Sequence, residues 1–232
     1  MSSNERPSRP TKGLDRRQFL RASSLLGMGS LFIPGDLFAL APVAGGGCAA
    51  TTDDIQGPFY LPGSPNTALV AQPGEPGTRL YISGTTLAND CETPIAGVKI
   101  EVWQANAAAV YDTSQNFLLR GTVFSDENGL YAFETILPGP YLNGNQYRPK
   151  HIHFKVTKPG FPDLITQLYF EGDPLIPLCP IIHTIKDESA IQRLVAKLDM
   201  GEQRPFDCLV YRFDIVLRGR QQTFFENKRE GM

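Results

Sequence analysis

Histidine is scarce in this chain, with three in 232 residues, and there is a single tryptophan. Any imidazole-based metal site must therefore draw on His151, His153 and His183. The four cysteines, Cys48, Cys91, Cys179 and Cys208, show no Cys-x-x-Cys spacing, which argues against a thiolate zinc site. No block of like charges occurs and the formal net charge is -2, so there is no electrostatic case for nucleic acid or for an anionic membrane surface. Long apolar runs are missing too. The most apolar stretch, residues 22–44, is broken by Pro34, Gly35 and Asp36 and makes a poor membrane span. There is no internal repeat. What remains is 41% hydrophobic and 20% charged, enough to build a real core, and the length suits one large domain or two small ones.

The first 47 residues read as a leader rather than as part of the fold. Arg16-Arg17 followed by Phe19-Leu20 resembles a twin-arginine export signal, with cleavage expected between Ala41 and Gly47. Gly46-Gly47-Cys48 supports a weaker alternative, a lipid anchor at Cys48. Export would place the mature chain in the periplasm or outside the cell, where disulfides persist. Four cysteines allow three pairings and the sequence does not choose among them, while a buried free thiol remains an alternative for Cys208.

Residues 50–76 are rich in Pro, Gly, Thr and Asp and read as an irregular N-terminal arm. Strands are expected at residues 80–85, 98–104, 130–134, 151–157, 164–170 and 206–217, separated by turn signals such as Asp126-Glu127-Asn128-Gly129. In 98–104 the alternation puts Val98, Ile100, Val102 and Gln104 on one face and Lys99, Glu101 and Trp103 on the other. One helix is expected. Asp187 or Ser189 caps it, and Ile191, Leu194, Val195 and Leu198 share a face. The expectation is a mainly β chain: an antiparallel β-sandwich over residues 48–232, with an irregular arm, one short helix and no second folded domain.

Chemistry concentrates in residues 138–154, PGPYLNGNQYRPKHIHF. His151 and His153 are two apart on a strand, so their side chains point to the same face and can converge on one ion. A His-x-His pair alone is a moderate signal. It gains weight from the runs around it, which are Glu101-Val102-Trp103-Gln104-Ala105-Asn106, Tyr111-Asp112, Pro138-Gly139-Pro140-Tyr141, Arg148-Pro149-Lys150-His151-Ile152-His153 and Gln167-Leu168-Tyr169-Phe170-Glu171-Gly172-Asp173.

Taken together and in this order, those runs resemble the intradiol ring-cleavage dioxygenases, non-haem iron enzymes that open catechols between their hydroxyls. The resemblance covers residues 57–173 and, more loosely, the final strand. It implies an Fe(III) ion held by Tyr111, Tyr141, His151 and His153, with Arg148 against the substrate and Gln167 lining the same pocket. Phenolate is a hard anionic donor that suits ferric iron, and imidazole partners it well. The implied substrates are a catechol-type diol and O2, with a cis,cis-muconate-type diacid as product and no organic cofactor. Tyr169 is read as packing, Tyr147 as a weaker rival to Tyr141, and His183 as outside the site. The segment 142–147 is shorter than in well-known members, which leaves pocket size open. The chain lacks the helical N-terminal region of the catechol-specific branch and looks more like the protocatechuate branch or an exported single-domain relative. Its full ligand set would allow a homo-oligomer. Two other readings stand beside this one. One is a non-catalytic exported β-sandwich binding module, and the other a hydrolytic zinc site, for which two tyrosines are unusual ligands.

Overall fold

A computed structural model describes residues 48–201 and 207–219. The expected leader, its export signal and its cleavage point lie outside the described residues, as does Phe206 at the start of the last expected strand.

Eleven strands follow in chain order: β1 (Arg79–Leu87), β2 (Lys99–Gln104), β3 (Arg120–Phe124), β4 (Leu130–Ile136), β5 (Leu142–Asn143), β6 (Gln146–Tyr147), β7 (His151–Thr157), β8 (Leu164–Phe170), β9 (Val195–Leu198), β10 (Leu209–Arg212) and β11 (Ile215–Val216). Nine of them form one sheet in the order β11-β1-β10-β9-β8-β7-β2-β3, with β4 paired to β1. β5 and β6 make a separate hairpin immediately after Tyr141, turning at Gly144, whose φ is 62°.

The sheet folds over on itself at β9. Residues 195 and 196 pair in parallel with β8, and residues 197 and 198 pair antiparallel with β10. The halves on either side of β9 face each other across a core that includes Ile82 and Phe133 from one and Val102, Phe154 and Leu168 from the other. Phe133 and Phe154 meet with ring centroids 6.0 Å apart. The expected β-sandwich is present, with one refinement. β1 runs parallel to β10 and to β11, and β8 runs parallel to β9.

The expected helix is shorter than its apolar spacing suggests. α1 (Glu188–Gln192) is capped by Asp187, whose side chain accepts from Ser189 N at 2.9 Å. Ile191 and Leu194 are buried as expected, but Val195–Leu198 leaves the helix to become β9. Continuing the helix would gain a few local bonds. Joining the sheet satisfies the backbone of both β8 and β10 and closes the fold, so the tertiary ladder overrides a weak local preference.

The N-terminal arm wraps the sheet instead of adding a strand to it. Thr51 N donates to Val216 O at 2.9 Å, Asp54 N to Ile165 O at 2.9 Å, and Thr67 N to Thr122 O at 3.0 Å. A Cys48–Cys91 disulfide pins its start to the turn after β1. That bond uses the sulfur that a lipid anchor at Cys48 would need, so the anchor alternative conflicts with the structure. Cys179 is buried outside the disulfide.

Candidate active site

Strand register builds the site. Residues paired across adjacent strands project to the same face of a sheet. β2 and β7 place Trp103 opposite His153, β7 and β8 place His153 opposite Gln167, and His151 opposite Tyr169. Ile152, Phe154 and Val156 enter the sandwich core, so the alternation of β7 turns both histidines outward. They are nevertheless buried, with 3% and 2% of their surface exposed, because the arm and the loop carrying Tyr111 cover that face. Gly57 of the arm lies against His153. Its φ is +70°, and a Cβ there would stand 3.3 Å from His153 Cε1, so glycine lets the arm lie on the imidazole without backbone strain or crowding.

Tyr111 sits over the pair. Its oxygen is 3.1 Å from His151 Nε2 and 3.1 Å from His153 Nε2. Phe59 stacks on the Tyr111 ring at 4.2 Å, and Trp103 stacks on His153 at 4.9 Å, so both groups are held by flat aromatic contacts. Tyr141 completes the cluster, with its ring 5.9 Å from that of Tyr111 and 6.0 Å from that of His151. His151 Nδ1 donates to Pro149 O at 2.7 Å, which leaves its Nε2 lone pair facing the Tyr111 oxygen.

Burial, then the Arg148 charge, depresses His151 to about 3, against the pull of the Pro149 carbonyl. Burial, helped by the charges of His151 and Arg148, takes His153 well below its ordinary value. Both imidazoles are therefore neutral at pH 7, as metal ligands must be. Burial, and secondarily Tyr141, pushes the Tyr111 phenol up, so its anion needs a compensating cation nearby.

Two nitrogens and a phenol oxygen with 3.1 Å contacts form a suitable set for a metal. Ligands sharing an ion at about 2.1 Å stand about 3 Å apart in a cis arrangement. Among the described residues no group of three or more His, Cys, Asp or Glu side chains gathers to hold a metal, so an ion here would depend on tyrosine oxygen. His153 Nδ1 and Trp103 Nε1 are buried without a hydrogen-bond partner, as are Arg148 Nε and both Nε and Nη1 of Arg120. The Ile55 carbonyl lies toward His153 Nδ1 and also accepts from Gln167 Nε2 at 2.7 Å. Such a concentration of unpaired buried polar atoms marks a site built for something other than stability.

Beside the imidazoles lies a polar network. Arg148, 3% exposed, donates through Nη2 to Gln167 Oε1 at 2.9 Å and to the Tyr169 hydroxyl at 2.7 Å. Burial alone would lower Arg148, but Tyr169, Cys179 and Asp54 outweigh it and keep the guanidinium charged.

All six residues singled out from the sequence, Tyr111, Tyr141, Arg148, His151, His153 and Gln167, are thus in one place. Tyr169 is not mere packing, since its hydroxyl is the centre of the polar network. Tyr147 is 57% exposed on β6, and His183 is exposed with Nε2 2.9 Å from Pro177 O, so neither joins the cluster. Sequence reasoning missed Asp54 and Phe59 on the arm and Arg120 on β3. Arg120 is buried and donates to Asp112 O at 2.5 Å, next to Tyr111. Asp54 and Phe59 belong to an irregular segment with no periodicity to read, whereas the pairing of Arg120 with Trp103 could have been inferred from the alternation of β2 and β3.

Comparison with known proteins agrees with this geometry. A family model described as Dioxygenase matches residues 55–219. The protocatechuate 3,4-dioxygenase beta chain of Burkholderia cepacia is 40% identical over 167 residues, covering 66% of this chain and 70% of its own. The chlorocatechol 1,2-dioxygenase of Rhodococcus opacus is 35% identical over 151 residues, and the chain spans 58% of that enzyme's length. Among solved structures, the dioxygenase domain of a dioxygenase carbohydrate-binding protein fusion from Streptomyces sp. SirexAA-E superposes with a TM-score of 0.62 at 31% identity, covering 73% of this chain and 99% of that domain. The match runs from the arm that covers the histidines to the last strand, through every element that positions the cluster, and the chain belongs to the intradiol ring-cleavage dioxygenases, a family of oxidoreductases.

Proposed function

We propose that this protein is a non-haem Fe(III) dioxygenase that opens a catechol-type diol between its hydroxyls, adding both atoms of O2 to give a cis,cis-muconate-type diacid. The observation that carries this reading is the convergence of two neutral, buried imidazoles on the Tyr111 oxygen, with Tyr141 alongside. Tyr111, Tyr141, His151 and His153 would hold the ion. Ferric iron would supply the Lewis acidity and electron transfer that join a diolate to O2.

The chain's own residues do the rest. The diol must lose two protons, and Tyr141 Oη is an acceptor within reach of an incoming substrate, because Tyr141 is half-buried while Tyr111 is only 8% exposed. Arg148 offers a fixed positive charge to the anion that develops as the ring is attacked. Gln167 is held with its amide nitrogen on Ile55 O and its oxygen on Arg148, so it shapes the pocket wall next to His153. Phe59 and Trp103 help exclude water from the two imidazoles and Tyr111, which strengthens each electrostatic contact inside.

The test is direct. Purified protein loaded with iron should be reddish from phenolate-to-iron charge transfer, change colour when a catechol is added, and take up one O2 per ring opened. A panel of catechol, protocatechuate, hydroxyquinol and chlorocatechols identifies the preferred ring. Colourless iron-loaded protein that takes up no oxygen with any of them would return the chain to the binding-module alternative. Export completes the proposal. The Arg16-Arg17 pattern and the Cys48–Cys91 disulfide both suit a folded protein delivered to an oxidising compartment.

A further inference from the structure

Arg148 does not choose its own orientation. Its Nη2 is committed to two oxygens, Gln167 Oε1 and the Tyr169 hydroxyl, and each of these is locked by the N-terminal arm. The Tyr169 hydroxyl donates to Asp54 Oδ2 at 2.8 Å, with Gln167 Oε1 a longer acceptor at 3.0 Å. Gln167 donates through Nε2 to Ile55 O at 2.7 Å, which fixes its amide so that Oε1 faces the guanidinium. Two consecutive arm residues, Asp54 and Ile55, therefore hold the two groups bonded to Arg148 Nη2, while Cys179 contacts the same side chain. Asp54 is itself clamped, with its N–H on Ile165 O at 2.9 Å and its Oδ1 accepting from Ile55 N at 2.6 Å.

We propose that Asp54 is a positioning residue for Arg148, acting through the Tyr169 hydroxyl. The inference rests on the substrate-facing role given to Arg148 above. The relay has a physical logic. Among the described residues no ion pair within 4.0 Å joins Asp54 to Arg148, so the carboxylate aims the guanidinium without lying against it and quenching its charge. The hydroxyl can serve both neighbours because it accepts from Arg148 and donates to Asp54. With Nη2 fully used, Nε is left buried and without a partner among the described residues. A group preset in this way loses little freedom when a developing anion needs it.

The test uses the iron-loaded full chain with catechol and O2. Asp54→Ala and Tyr169→Phe should each lower kcat by about tenfold, a fraction of the loss expected from removing a preorganised donor outright, with iron content and the phenolate-to-iron absorption unchanged. Asp54→Asn, which keeps one acceptor oxygen for the Tyr169 proton but loses the bond from Ile55 N–H, should recover part of kcat. In an Arg148→Ala background neither Asp54→Ala nor Tyr169→Phe should cost more than about twofold, because groups acting through one chain are not additive. Wild-type kcat in both single variants, or an equal loss in the Arg148→Ala background, would overturn the proposal. If the wild-type protein opens no diol, the functional reading fails separately, and the Arg148 Nε–H exchange rate in the iron-free protein decides the positioning claim. Acceleration in Tyr169→Phe supports it, and an unchanged rate refutes it.

Discussion

β1 and β7 obey the same two-residue alternation, yet only one of them carries a site. Along β1 buried residues such as Leu80 and Ile82 alternate with half-buried ones such as Tyr81 and Ser83, as in a strand with one face toward a core and one toward solvent. Along β7 the first four residues are all buried. The inner faces of the two strands are equivalent, since Ile82 and Phe154 share one core. The outer faces differ because Gly57, Phe59 and Tyr60 of the arm, with Tyr111, close over β2 and β7 and create a second, polar interior. A sheet face becomes a site when something irregular covers it, and there the polar groups are selected for what they bind rather than for solvation.

Four experiments separate the two interiors, in order of expected effect. His153→Ala, on the covered outer face, should reduce iron binding by at least about a hundredfold and remove measurable oxygen uptake while the fold survives, as read by metal analysis and circular dichroism. Its neighbour Phe154→Ala, on the inner face, should do the reverse. It should cost about 3–5 kcal/mol in a denaturant titration, with normal iron binding in whatever remains folded. Equal behaviour of the two would erase the distinction between the faces. Arg148→Ala should retain iron but slow turnover by about a hundredfold, measured as kcat in an oxygen electrode, and normal turnover would remove Arg148 from the chemistry. The smallest effect concerns pH. His151 is held neutral in the fold, with its value lowered from 6.5 to about 3. Below its ordinary value the unfolded chain takes up a proton that the folded chain refuses. The iron-free protein should therefore lose stability as pH falls from 6.5 towards 3, by at most about 1.4 kcal/mol per pH unit for this residue. Above that window His151 contributes no slope, and His151→Gln should make the profile shallower within it, the slope from His153 remaining.

Much of this was legible beforehand. The alternation in residues 98–104 correctly assigned Ile100 and Val102 to the core and Trp103 to the other face. The spacing of His151 and His153 put both imidazoles on one side of a strand, where they are found. Helical spacing misled at Val195 and Leu198, because a four-residue strand and a helical turn are hard to tell apart when tertiary pairing decides between them. Tyr169 was underrated for a similar reason. Its hydrogen bonds reach Asp54, 115 positions away in the chain, and no local pattern encodes such a partner.

By itself the sequence determined which side chains could share a face, because the pleat of a strand repeats every two residues and needs no partner to do so. It also carried the motif order that placed Tyr111, Tyr141, His151 and His153 in a single candidate site. Only the tertiary structure decided what lies over that face: the arm's path across β8 and β11, the approach of Gly57 to His153, and the Asp54–Tyr169–Arg148 relay. Those contacts depend on an irregular backbone that satisfies its hydrogen bonds against distant strands, and such bonds exist only once the sheet they bind to has formed.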